Sequence, residues 1–94
     1  MPRFLVERDF GQVSDDEMQD FVARSKVLSA ERFPDLKWEG SHVCDDSGGG
    51  FKAFCVYTAP SSQTLDEHAK VMGGQGTHRI FEIVGHIDPR DIAG

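Results

Sequence analysis

Four histidines, two cysteines and sixteen acidic residues supply most of the chemistry open to this 94-residue sequence. His68 is the most informative of them. It shares a helical stripe with Leu65, Ala69 and Met72, so the spacing aims its imidazole at whatever that helix packs on. A buried imidazole needs a partner. One reading is a core histidine hydrogen-bonded to Tyr57, Glu7 or a backbone carbonyl. The other is a metal ligand or general base whose protonation is set by a neighbouring carboxylate. His42 stands two residues before Cys44 on one side of an expected strand, where the pair can converge on one ion. Its plainer reading is an exposed strand histidine beside a buried thiol.

Glu7 and Arg8 point to opposite sides of the first expected strand, so only one of them can enter a given pocket. Glu7 is the better ligand candidate, and an interface ion pair is its equal alternative. Cys55 and Tyr57 share one side of a later strand and are pocket candidates. Read structurally, they are a small hydrophobe and an amphipathic aromatic. His78 and His86 flank the last strand too far apart to chelate together and are expected at the surface. Asp15, Asp16 and Glu17 sit where the first turn of a helix favours negative charge, so they are assigned to the helix rather than to a metal.

These residues are positioned by elements that the pattern marks well. Lys52 to Thr58 is rich in aromatic and β-branched residues and is stopped by Pro60. Ser61 is placed to cap the helix that carries His68. Gly73 and Gly74 are placed to end it, and Arg79 to Val84 resumes a strand pattern. Upstream, Arg3 to Phe10 reads as a strand with Phe4, Val6 and Phe10 on one side and Leu5 on the other. Gly11 breaks it. Ser14 and Glu17 form a capping box, with Val13 stapling onto Met18, and Met18, Phe21, Val22 and Leu28 make the buried stripe of a helix reaching about Glu31. Leu36 to Cys44 is the second strand. Asp45 to Gly50 is a turn, and Gly48-Gly49-Gly50 lacks the Lys-Ser/Thr and the helix that a phosphate cradle requires.

Ninety-four residues suffice for one domain with a modest core, and residues 86–94 read as a C-terminal tail. A net charge of −6 argues against a broad nucleic-acid or anionic-membrane surface. No apolar leader or membrane-length segment is present, so the expected setting is the cytoplasm, with Cys44 and Cys55 as two free thiols.

Order and separation of several pieces carry a family likeness: Phe4 to Arg8, Trp38 and Ser41, Cys55-Val56-Tyr57, Ala59-Pro60, Glu67-His68-Ala69, Gly73 and Ile87-Asp88-Pro89. In these the sequence resembles a family of small bacterial ferredoxin-like proteins grouped with nickel-binding proteins. It departs from them at Ser47 to Gly50, which lengthens the turn between the middle strands. The resemblance implies a βαββαβ fold, dimers, and binding of a divalent metal, nickel, in at least some members. An α+β sandwich, with a four-stranded antiparallel sheet and two helices on one face, follows. Two helices cover only one face of such a sheet. Whichever strand parity faces them, either Leu5, Val43, Phe81 and Ile83 or Phe4, Val6, Trp38, Phe54 and Val56 remain across the alternation, so a homodimer is expected to cover the second face.

Three functions fit. The first is a small dimeric metal-binding protein with His68, His42 and Glu7 as ligands and no organic cofactor; nickel comes from the resemblance, since imidazole and carboxylate also suit zinc, copper or cobalt. The second is a small-molecule monooxygenase- or isomerase-like enzyme with His68 as base, Tyr57 as donor and a pocket between sheet and helices. A non-catalytic interaction module is the third.

Overall fold

In the first strand, β1 (Arg3–Gly11), every second residue is buried, from Phe4 through Val6 and Arg8 to Phe10. That alternation sets the face on which everything else packs. The computed structural model describes residues 1–45, 47–72 and 78–92. Its elements follow as α1 (Asp15–Arg32), β2 (Lys37–Asp45), β3 (Phe51–Thr58), α2 (Ser62–Val71) and β4 (His78–Ile83), with a short 3-10 helix at Pro89–Asp91. The strands lie in the order β2-β3-β1-β4, and each neighbouring pair is antiparallel. Phe21 from α1, Leu65 from α2 and Met72 at the C-cap of α2 join the same cluster as Phe4, Val6, Cys55 and Tyr57, so both helices cover one sheet face. This is the ferredoxin-like α+β sandwich that the sequence leads one to expect.

Local signals explain where the helices begin. The Glu17 amide donates to Ser14 Oγ at 3.1 Å and the Ser14 amide donates to Glu17 Oε1 at 3.3 Å, which completes the capping box. Val13 and Met18 both pack on the core, as the staple requires. At α2, Ser61 Oγ accepts from the Thr64 amide at 3.4 Å. The expected end of that helix at Gly73 and Gly74 lies outside the described residues.

Two local irregularities decide which side chains face inward. The pairing of β2 with β3 slips between Trp38 and Gly40, leaving Glu39 as an extra residue. Trp38 and Ser41 therefore share the helix side, and the Trp38 indole N–H donates to Ser41 Oγ at 2.9 Å. Past the bulge, Val43 pairs with Ala53 on that same side, while His42 pairs with Phe54 on the other. A second register shift lies between Asp9 and Gly11, where Gly11 takes a φ of 62° that L-residues seldom adopt. Leu36 is buried but precedes β2, and the Asp45 carboxylate closes the following turn by accepting from the Ser47 amide at 3.0 Å.

Several expectations change as a result. Val43 does not group with Leu5, and Phe54 and Val56 do not group with Phe4, because Phe4 pairs with Tyr57 and Leu5 with Val56. The open face is instead Leu5, Phe54, Val56, Phe81 and Ile83. Along α1 the buried positions are Phe21 and Ser25, and Val22 is exposed. Cys44 and Cys55 are both free, as expected, but it is Cys55 that is buried and Cys44 that is exposed. Beyond β4 the chain leaves Val84, Ile87 and Ile92 exposed. Among the described residues no helix is long and apolar enough to cross a membrane.

Candidate functional site

The sheet separates the candidate residues into two groups. On the helix side, α2 buries His68 completely, at 0% exposure. Its Nε2 lies 3.2 Å from Ser29 Oγ of α1, and its ring meets Phe33 and Tyr57 edge-on, with centroids 5.3 and 5.9 Å away. Among the described residues Nδ1 has no hydrogen-bond partner. The tautomer with Nε2–H donating to Ser29 is therefore the cheaper one, since it leaves Nδ1 as a bare acceptor rather than a stranded donor. Burial, assisted by the nearby positive charge of Arg8, lowers the His68 pKa to about 4. The imidazole is neutral at physiological pH.

Arg8 enters the same interior. It is only 4% exposed, with its guanidinium carbon 5.7 Å from the centre of the Phe21 ring. Burial, and after it Cys55, raises the Tyr57 phenol above its usual range, against smaller opposing effects of Arg8 and Ser25. Tyr57 thus stays a neutral phenol. Arg8, Ser25 and Ser29 were not among the sequence candidates. The signal for them was spacing alone: Arg8 continues the inward set of Phe4, Val6 and Phe10, and Ser25 and Ser29 continue the α1 stripe from Phe21.

On the open side, one row across the sheet reads His42, Phe54, Glu7 and Arg79, and the next reads Gly40, Val56, Leu5 and Phe81. Cys44, two residues beyond His42, shares that side. Glu7 therefore faces away from His68 and cannot be its partner; the partner is Ser29. The expected set of His68, His42 and Glu7 is not brought together, because the sheet stands between the first and the other two. His42 and Glu7 are themselves two strands apart, roughly 10 Å by strand spacing, with Phe54 between them. Among the described residues of one chain, no three or more His, Cys, Asp or Glu side chains form a group able to hold a metal. His78 is tied to Asp66 at 3.1 Å, and His86 is exposed. Beside His42 runs a shallow groove of about 370 Å³ whose far wall is the Arg3–Glu39 ion pair at 3.0 Å. Hydrogen bonds from Arg3 and Thr58 hold the Glu39 carboxyl below its usual range.

A family model described as nickel responsive protein SCO4226-like matches residues 4–83, which spans the whole sheet and both helices. The chain belongs to the SCO4226-like family. Among solved structures, it is similar to SCO4226 from Streptomyces coelicolor A3(2), at 13% identity and a TM-score of 0.69, over 90% of this chain and 99% of that one. Ribosomal protein S6 from Thermotoga maritima follows at 14% identity and a TM-score of 0.58, over 87% of each chain. SnoaB, a cofactor-independent oxygenase from Streptomyces nogalater, matches at 15% identity and a TM-score of 0.54, over 95% of this chain and 97% of that one. At such identities these likenesses show the fold alone. No curated protein matches the chain by sequence.

Proposed function

We propose that this SCO4226-like protein is a homodimer that binds a divalent ion, nickel by family, on the open face of its sheet. The observation that carries the reading is that one uncovered face holds both the apolar residues and the outward-facing donors. Leu5, Phe54, Val56, Phe81 and Ile83 lie on it, with Phe81 at 43% exposure, and so do His42, Cys44 and Glu7. A contiguous apolar face on a small protein marks a contact surface, and a two-fold copy of the same face is the simplest cover. Glu7 and Arg79, side by side in one row, offer both signs of charge to a second copy.

Among the described residues one chain supplies too few converging donors for an ion, but two copies double them. His42 and Glu7, with Cys44 beside His42, are the residues that would hold the metal; imidazole is a good nickel ligand, and the carboxylate lowers the net charge of the site. His68 belongs to the core in this reading, and its neutral ring orders α1 against α2 through Ser29. The compartment expected is the cytoplasm, where Cys44 stays reduced. Calorimetric titration with nickel decides among the ligands. His42→Ala should weaken binding at least tenfold, whereas His68→Ala, if folded, should leave it within about threefold of wild type. Equal affinity in wild type and His42→Ala would remove the assignment.

A further inference from the structure

The interior cation at Arg8 meets no counter-charge among the described residues. Among the described residues no carboxylate lies within ion-pair distance of its guanidinium, although the group is 4% exposed. Burying an unpaired charge is expensive, and an aromatic face offsets only part of that cost. Tyr57 does not supply the missing negative charge, since burial keeps its phenol protonated. His68, neutral as well, adds none.

Arg8 is also not sealed in by packing. It lines a cavity of about 30 Å³ between α1 and strands β1, β3 and β2 of the sheet, enough for a water or a small polar head group. The polar groups around that cavity are hydroxyls of Ser25, Ser41 and Tyr57 and the Trp38 indole, and no acid is among them. Each hydroxyl can donate a hydrogen bond, while the Trp38 indole N–H is already given to Ser41 Oγ. The remaining wall is apolar, and two of its residues, Val22 on α1 and Val43 on β2, are exposed, so the cavity opens between that helix and the edge strand.

We propose that this cavity receives the carboxylate of a small monoanionic amphipathic acid, which pairs with Arg8 while its apolar tail leaves between Val22 and Val43. A guanidinium binds a planar carboxylate through two parallel N–H donors. One buried charge balances a monoanion but not a phosphate dianion, and the narrow head-group space favours three heavy atoms over a tetrahedral group. The apolar mouth selects for a hydrocarbon tail over a free inorganic anion. This site lies on the opposite side of the sheet from His42 and Glu7, so it stands apart from the metal reading.

Trp38 lines the cavity and is the only tryptophan in the chain, so its emission reports on occupancy. Hexanoate is the probe, titrated at fixed ionic strength with a chelator present so that the open face is silent, beside hexanol and inorganic phosphate. A saturable change with hexanoate is expected, at least tenfold weaker with hexanol and with phosphate. Arg8→Met should weaken hexanoate at least tenfold. Should that variant fail to fold, Val22→Phe, which narrows the mouth from an exposed position, should do the same. The proposal is overturned by no saturable response to hexanoate, by an equal response to hexanol or phosphate, or by unchanged affinity in whichever of the two variants is folded.

Discussion

Acidification from neutral pH to about pH 4 should lower the stability of this fold by about 3 kcal/mol through His68 alone. The ring is buried and its pKa falls from 6.5 to about 4 in the folded chain, first through burial and then through Arg8. The sign follows from where the proton goes. Below about 6.5 the unfolded chain binds a proton that the folded chain refuses, so the contribution is fully present above that value. It declines as the pH falls through the interval and levels off below about 4, with each unit worth about 1.4 kcal/mol. The lack of an acceptor for Nδ1 among the described residues gives the shift a geometric reason, because protonation would create a buried N–H that none of them receives. Urea melts at several pH values on wild type and His68→Gln are the check. Glu39 and Asp88, both remote from His68 in the sequence and paired with other groups, titrate in both proteins and cancel in the difference. A difference that does not change across the interval would contradict a neutral, buried His68.

Phe81→Lys should dissociate the proposed dimer, raising its dissociation constant at least hundredfold, about 3 kcal/mol. Phe81 is the most exposed aromatic on the open face, and a lysine there would be buried against apolar side chains of the second copy. Val27→Lys, a substitution on the outer side of α1 where Val27 is already 54% exposed, should leave the mass unchanged. Sedimentation at micromolar concentration should then find wild type and Val27→Lys at twice 10.4 kDa and Phe81→Lys at 10.4 kDa. A wild-type monomer would remove the dimer.

Most of the architecture was legible because local chemistry and periodicity agreed. Ser14 and Glu17 announced α1, Ser61 announced α2, and the aromatic and β-branched run before Pro60 announced β3. The face of each strand was harder. In β3 both parities are apolar, Ala53, Cys55 and Tyr57 against Phe54 and Val56, so hydrophobicity alone did not choose, and the choice rests on pairing with β1. In β2 the extra residue at Glu39 reverses the phase, which is why Val43 falls on the helix side.

The candidate site was read in part for a related reason. His68 faces inward as its helical stripe required, and Tyr57 lies beside it. Glu7 was favoured over Arg8 by ligand chemistry, yet the alternation of Phe4, Val6 and Phe10 already assigned the interior to Arg8. Its long apolar stem and the Phe21 ring make that position tolerable. Ser25 and Ser29 sit on a stripe otherwise apolar, and a search for hydrophobic periodicity passes over such residues even when they hold the polar network.

If a second copy completes the metal site, nickel titration of the Phe81→Lys variant will show it. His42, Cys44 and Glu7 all remain in that variant; the new charge lies three strands from His42, roughly 14 Å and beyond the screening length at physiological salt, but diagonally across from Glu7, so a neutral Phe81→Gln monomer is titrated beside it. The expected result is a monomer whose nickel affinity is at least tenfold below that of the wild-type dimer. A monomeric Phe81→Lys protein that binds nickel as tightly as wild type would contradict it.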